Sequence, residues 1–278
     1  MKTLICIACE SGAGPQLSLG QALVTLDPDA RLTLLHVLDR GGEEDEARAC
    51  LASARRDLTG GEIETKVRRG DPFEEIAAEV EESGADLVLL GPNELHRSRT
   101  RMLESVTMQV ILRLPCSVLV AHQTAGSSLE RILICSGGAD VADDVIKTGA
   151  WIAQGLGGSA TLLHVVTPVP SVYPGVLDSE EPLTQLLQMD TPVAHHLRNG
   201  AEILEQHQVP AEIKLRYGVI SDSIVREALQ GNHGLIVLGA ARGRAAVKRP
   251  MLGDVTEQVV ERAPRPVLIV RERLGDTP

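Results

Sequence analysis

Leu32-Thr33-Leu34-Leu35-His36-Val37 returns 128 positions later as Ala160-Thr161-Leu162-Leu163-His164-Val165, and this echo decides the fold. Working outward, Leu4-Ile5-Cys6-Ile7 returns at the same offset as Ile132-Leu133-Ile134-Cys135. Further along, Lys66-Val67-Arg68-Arg69-Gly70 answers to Lys214-Leu215-Arg216-Tyr217-Gly218, and the offset has grown to 148. Asp86-Leu87-Val88-Leu89-Leu90-Gly91 keeps it in Gly234-Leu235-Ile236-Val237-Leu238-Gly239. The closing runs, from Pro115 to Val120 and from Pro264 to Ile269, stand 149 apart. Self-similarity at a fixed period across a chain is the mark of tandem copies. The step from 128 to 148 gives the second copy about 20 extra residues between Thr167 and Pro192. Five prolines punctuate that stretch, so it is expected to form a surface loop or lid rather than one regular element.

Each copy holds five short apolar runs alternating with helical stretches. Runs that are apolar throughout belong to strands buried on both faces, the pattern of a parallel sheet under crossover helices. The expected fold is α/β: two tandem doubly wound five-stranded parallel sheets with helices on both faces, Rossmann-like. Asp71-Pro72-Phe73-Glu74 sets an N-cap, a proline at the first helical position and a capping-box glutamate in order. Ser221 is expected to start the equivalent helix of the second copy. Domain boundaries are placed at residues 1–124 and 129–275, with Gln123 to Ser128 as a short flexible linker. Ligands of such sheets lie beyond the carboxyl ends of the strands, where the strand order reverses.

Composition narrows the function. Only 1% of the 278 residues are aromatic, so the core is aliphatic and no stacking platform exists for single-stranded nucleic acid. A net charge of −11 argues against a general attraction to nucleic acid. No stretch approaches the roughly 20 apolar residues that span a bilayer, and the first residues lack the tripartite pattern of a signal peptide. A cytoplasmic location is expected. The five cysteines are an odd, sparse set that does not read as a disulfide framework. Cys6 and Cys9 form a C-x-x-C, but on a strand residues three apart face opposite ways, and no further zinc ligands lie near.

Chemistry is sought after the fourth strand of each copy. In the second, Gly239 and Gly243 precede Gly253-Asp254-Val255-Thr256 at a helix start, where glycines and the helix dipole favour an anion. This resembles the G-2x-G-9x-G-(S/T) loop of universal stress proteins, which in that family cradles ATP phosphates. The Leu-Leu-His-Val strand, the Asp-Pro helix start after Gly70 and the closing strand resemble the same family, in order and twice. The resemblance implies an adenine-nucleotide alpha hydrolase-like fold and a non-catalytic role in stress adaptation. It also implies a pseudo-dimer of the two domains paired through Ser117 to Val120 and Val267 to Val270, a homodimer, and an adenine nucleotide such as ATP, with Mg accompanying it, or a protein partner. Nucleotide-binding candidates are Gly137, Val165, Gly239, Gly243, Gly253, Asp254, Val255 and Thr256; no catalytic residue or protein-held metal is expected.

Several positions depart from the family pattern. The nucleoside-contacting Asp at the end of the first strand is replaced by Cys9 in copy one and Gly137 in copy two. Copy one keeps Gly91 but carries Glu94 and Glu104 at the next glycine positions, with Ser105 and Thr107 left as hydroxyl donors. Copy two places Asp254 where a hydroxyl would meet phosphate, and has one extra residue between Gly239 and Gly243. The cations of the two loops (Arg242, Arg244, Lys248 and Arg249; His96, Arg97, Arg99 and Arg101) would offset such charges or simply be solvated. Copy one therefore reads as degenerate and copy two as the nucleotide domain.

Two alternatives stand beside this. One is an interaction module that binds no nucleotide. The other is an ATP-using enzyme, because Cys135-Ser136-Gly137-Gly138-Ala139-Asp140 resembles the S-G-G-x-D-S loop of PP-loop pyrophosphatases, with Val141 in place of the last Ser. His36 and His164 are expected as packed, hydrogen-bonded rings, and the adjacent His195 and His196 as facing different directions.

Overall fold

The computed structural model describes residues 1–9, 13–38, 41–91, 105–122, 128–135, 137, 142–167, 181–240, 252–271 and 274. The chain divides into two compact units, Met1–Thr124 and Ala125–Asp276.

The first unit runs β1 (Lys2–Cys6), α1 (Gly14–Leu26), β2 (Arg31–Leu38), α2 (Glu44–Arg56), β3 (Glu62–Arg69), α3 (Pro72–Ser83), β4 (Leu87–Leu90), α4 (Val106–Arg113) and β5 (Ser117–Val120). Its strands pair in parallel in the order β3-β2-β1-β4-β5. The second runs β6 (Arg131–Cys135), α5 (Ala142–Gly155), β7 (Ser159–Val166), α6 (Glu181–Gln188), α7 (Pro192–Gln206), β8 (Ala211–Tyr217), α8 (Ile220–Gln230), β9 (Leu235–Gly239), α9 (Leu252–Arg262) and β10 (Val267–Val270). Its order is β8-β7-β6-β9-β10, the same topology. The central strands are buried throughout, as their unbroken apolar runs require: Leu4, Ile5, Leu87 and Leu89 have no exposed surface. Each such side chain contributes roughly 1.5–3 kcal/mol through burial.

The helix starts differ between copies. Asp71 caps α3, accepting from Phe73 N at 3.0 Å and Glu74 N at 3.2 Å, and Gly84 closes it in the left-handed conformation. α8 lacks such a cap. Val219 holds the N-cap position with no side-chain bond, and Ser221 lies inside the helix, its hydroxyl donating to Gln258 Oε1 at 2.6 Å. The expected start at Ser221 is thus corrected by one residue, because its hydroxyl joins α8 to α9 instead of capping. The inserted stretch is also more ordered than expected. Residues 181–188 form α6, and Pro192 opens α7 behind Thr191, which accepts from Ala194 N at 3.2 Å. Leu183, Leu186 and Leu187 have the helical spacing that a proline count conceals. The insertion's residues 168–180 lie outside the described residues.

One polar feature recurs in both units. Glu79 on α3 is fully buried; Lys66 Nζ on β3 donates to its Oε1 at 2.9 Å, and Arg68 Nε to its Oε2 at 2.9 Å. In the second unit Lys214 Nζ and Arg216 Nε reach Glu227 Oε1 and Oε2, each at 2.9 Å. A buried carboxylate is tolerated only when paired and hydrogen-bonded. Burial pushes the Glu227 carboxyl up, but the bonds from Lys214 and Arg216 outweigh it and leave it below the usual range. The second unit adds His233, completely buried, with Nδ1 3.1 Å from Glu227 O and Nε2 2.9 Å from Thr161 Oγ1. Nδ1–H donates to the Glu227 carbonyl, while the Thr161 hydroxyl beside Nε2 donates to Glu212 Oε1 at 3.0 Å. Burial pushes the ring's pKa below the ordinary value, against the opposing pull of Glu227.

Glu79→Ala and Glu227→Ala should each cost about 2–4 kcal/mol in denaturant unfolding, since the stranded cations are only partly able to hydrate. Removing the exposed Arg31–Glu62 pair should cost no more than about 0.5 kcal/mol. For His233 the folded pKa lies below the unfolded one, so the unfolded chain takes up the proton first on acidification. Stability should therefore fall as pH drops below about 6.5. His233→Ala, which copies Ala85 of the first unit, should flatten that slope in thermal melts between pH 7 and 5. A residual slope is expected from His196, which burial shifts in the same direction.

Candidate functional site

In the order β3-β2-β1-β4-β5 the chain turns back between β1 and β4, and in the second unit between β6 and β9. Helices on either side of that reversal cover opposite faces, which leaves a crevice at the carboxyl ends.

In the second unit, Ile134 pairs with Val237 and Cys135 with Leu163. This register brings Gly137, Val165 and Gly239 to one end of three adjacent strands. Gly137 faces open space, because a Cβ built there would meet nothing within 4 Å. Gly239 serves packing: a Cβ would stand 3.0 Å from Val145 Cγ2, so its absence lets α5 approach β9. Val165 is half-buried on β7. Gly253, Asp254, Val255 and Thr256 lie in the first turns of α9, which follows the carboxyl end of β9 by topology. Gly243, with Arg242, Arg244, Lys248 and Arg249, lies outside the described residues, as do Ser136 and residues 138–141 of the alternative loop.

Beside this end, α7 brings His196 inward and half-buried, while His195 points out to Asp190 Oδ1 at 2.5 Å. Burial lowers the His196 pKa; Asp143 opposes the shift and His164 adds to it, so all three groups share one environment. Asn199 Nδ2 donates to Asp143 Oδ1 at 2.9 Å. This cluster carries no sequence signature, because its members come from α5, β7 and α7. Among the described residues, no group of three or more His, Cys, Asp or Glu side chains could hold a metal ion.

The first unit is built differently at the same end. Ile7 N donates to Leu35 O at 2.8 Å, and His36 Nδ1 lies 2.6 Å from Ile7 O. Cys9 forms a disulfide with Cys50 of α2, their Cα atoms 6.0 Å apart. The two cysteines are 41 positions apart, nothing in that spacing signals the bond, and it corrects the reading of the cysteines as a sparse set with no disulfide framework. Ser105 and Thr107 are also reassigned. Ser105 Oγ caps α4, accepting from Met108 N at 3.2 Å, and Thr107 is fully buried with its hydroxyl unpartnered. Gly91 is buried; Glu94, His96, Arg97, Arg99, Arg101 and Glu104 lie outside the described residues.

The Universal stress protein family model matches residues 17–122 and again 128–271. A universal stress protein of Methanocaldococcus jannaschii is 28% identical over 164 residues, which cover 59% of this chain and 95% of that protein. One from Thermus aquaticus is 34% identical over 141 residues, covering 50% of this chain and 97% of its own length. Among solved structures, a universal stress protein from Archaeoglobus fulgidus superposes with a TM-score of 0.69 at 17% identity, covering 99% of this chain and 97% of that one. A Pseudomonas aeruginosa protein of unknown function gives 0.68 at 16% identity, covering 98% and 92%. At these identities the structural likeness speaks for the fold alone.

The reassignment of the first unit's hydroxyls is directly testable. Ser105→Ala should cost about 1 kcal/mol through the lost cap. Thr107→Val, which removes a desolvated hydroxyl without changing shape, should leave stability unchanged or raise it. A Thr107→Val variant destabilised by more than about 1 kcal/mol in denaturant titration would show that this hydroxyl has a partner.

Proposed function

This chain belongs to the universal stress protein family, and from that premise we propose that it is a stress-response protein whose second domain holds an adenine nucleotide, ATP or a relative, without turnover. The observation that carries the reading is the convergence of Gly137, Val165 and Gly239 at one end of the sheet, with open space at Gly137. A nucleoside fits where no Cβ intrudes, and the start of α9 offers backbone N–H groups and a positive dipole end to phosphates. Asp254 opposes an anion there, so a Mg ion travelling with the nucleotide would assist. The first domain supplies structure, since its hydroxyls are used in capping or buried. Pairing of the two domains as a pseudo-dimer and of two chains as a homodimer belongs to the same reading, as does action in the cytoplasm. Among the described residues no helix is long and apolar enough to cross a membrane.

Titration calorimetry with ATP, ADP and AMP, with and without Mg, tests this. Heat of binding is expected for at least one nucleotide, weakened tenfold or more in Gly137→Val and in Gly253→Phe, with the melting curve of Gly137→Val unchanged. No heat with any nucleotide would leave the interaction module as the better account. Phosphate or pyrophosphate release on long incubation would favour the ATP-using alternative. Light scattering of the purified chain reports the homodimer.

A further inference from the structure

We propose that Cys9 and Cys50 form a reversible dithiol–disulfide site, through which the first domain responds to thiol-oxidising conditions.

Four observations carry it. First, the bond sits where exchange is feasible. Both cysteines are partly exposed, whereas Cys6, Cys116 and Cys135 are buried at 5%, 6% and 9% exposure. Burial also pushes the Cys135 thiol far up, which leaves it inert at neutral pH. The exchangeable sulfurs are therefore confined to one pair.

Second, the fold does not need the bond. By the internal offsets, Cys9 corresponds to Gly137 and Cys50 to Arg198, and the second unit builds the same five-stranded order without a crosslink. Arg198 performs another task at that helix position, donating to Leu187 O and Met189 O at the end of α6. A bond present in one copy and dispensable in the other is an addition to the scaffold.

Third, its breakage is local. The chain leaving β1 is held up to Ile7 by the bonds to Leu35 O and from the His36 ring. The disulfide acts beyond that point, tying Cys9 across β2 to α2. Reduction frees Cys9 from α2 and leaves the sheet ladder intact.

Fourth, the tether joins the carboxyl end of the central strand to a helix on the sheet's face, the end at which this topology places ligands and partners. Its state thus alters the functional end of the domain and not its base.

The chemistry balances with a dithiol reductant. A reductant thiolate attacks one protein sulfur and expels the other as thiolate. The reductant's second thiol then resolves the mixed disulfide, which leaves two protein thiols and a disulfide in the reductant. In the reverse direction a disulfide or peroxide accepts the two electrons, and both thiol protons are lost.

The test uses the full chain. Protein held in an oxidised glutathione buffer, denatured and alkylated without reductant, should take three labels by mass. After dithiothreitol it should take five, the additional two mapping to Cys9 and Cys50. On the folded protein the same reductant should expose these two thiols with the far-ultraviolet circular dichroism unchanged. Amide exchange should then rise about tenfold at Ala8–Cys9 and in α2, but not in β6 or α7. The first domain's melting temperature should fall by roughly 10 °C, as expected for opening a loop of this length. Cys50→Ser should reproduce the reduced exchange pattern and ignore oxidant; if it folds poorly, reduced wild-type protein provides the same comparison. Five labels from oxidised protein, or thiol exposure only on global unfolding, would overturn the proposal.

Discussion

A carboxylate with no access to water must find its cations within the protein, and both domains are organised around that requirement. Glu79 and Glu227 point from α3 and α8 into the one strand of each sheet whose side chains are mostly polar. β3 and β8 are edge strands, so they lack the two-sided aliphatic burial that fixes β1, β4, β6 and β9. Lys66 with Arg68, and Lys214 with Arg216, lie two apart and therefore on one face of their strands, beneath the helix that presents the carboxylate. The ion cluster does for the edge what leucines do for the centre. It also sets the rotation of the helix that leads into the fourth strand, and hence the position of the crossover from which the crevice opens. Such clusters add less net stability than a hydrophobic replacement would. What they contribute here is a single register of helix against strand, twice over.

Much of this was legible because parallel strands buried on both faces leave unbroken apolar runs, and two copies let each run check the other. The pairs Lys66-x-Arg68 and Lys214-x-Arg216 lie within the repeat, whereas the buried partner thirteen positions on lies in helical sequence that looks like any amphipathic face. Helix starts were readable where a side chain does the capping, as at Asp71. They were misread where backbone context alone begins the helix, as at Val219, because Ser221 looks like a cap and is spent on Gln258. α6 was hidden by its flanking prolines, which break helices internally but also begin them. The disulfide was invisible for a different reason. Cysteine pairing over long separations depends on which turns face which helices, and that is a property of the assembled domain. Gly137, Val165 and Gly239 come to one end of adjacent strands because register follows from the runs themselves. The surroundings of His196 carry no such signal, since three elements contribute to them.

The two copies diverge in a patterned way. Positions that set the sheet, the crossover and the buried carboxylate match, while two positions toward the carboxyl end differ: Cys9 against Gly137, Cys50 against Arg198. The amino end of the second domain carries a difference of its own, His233 against Ala85, and there the ring is fully enclosed and bonded. The difference is a packing solution at that end and a chemical one at the other. An added polar group at the amino end must be satisfied internally, as His233 is by Thr161 and the Glu227 carbonyl. A change at the carboxyl end meets solvent or a ligand and is free to alter function.

That separation explains how a duplicated domain keeps one fold while its strand ends diverge. In the first copy the capping use of Ser105, the burial of Thr107 and the tether at Cys9 all draw the crevice residues into the structure itself. In the second, glycine at 137 withdraws a side chain from the same place and leaves room. The sheet order depends on neither choice, because it is set by the aliphatic strands and by the register that the two buried ion clusters impose. Substitutions at the strand ends can therefore leave the scaffold as it is, and the two copies differ there: Cys9 is bonded to Cys50 in the first, and Gly137 carries no Cβ in the second.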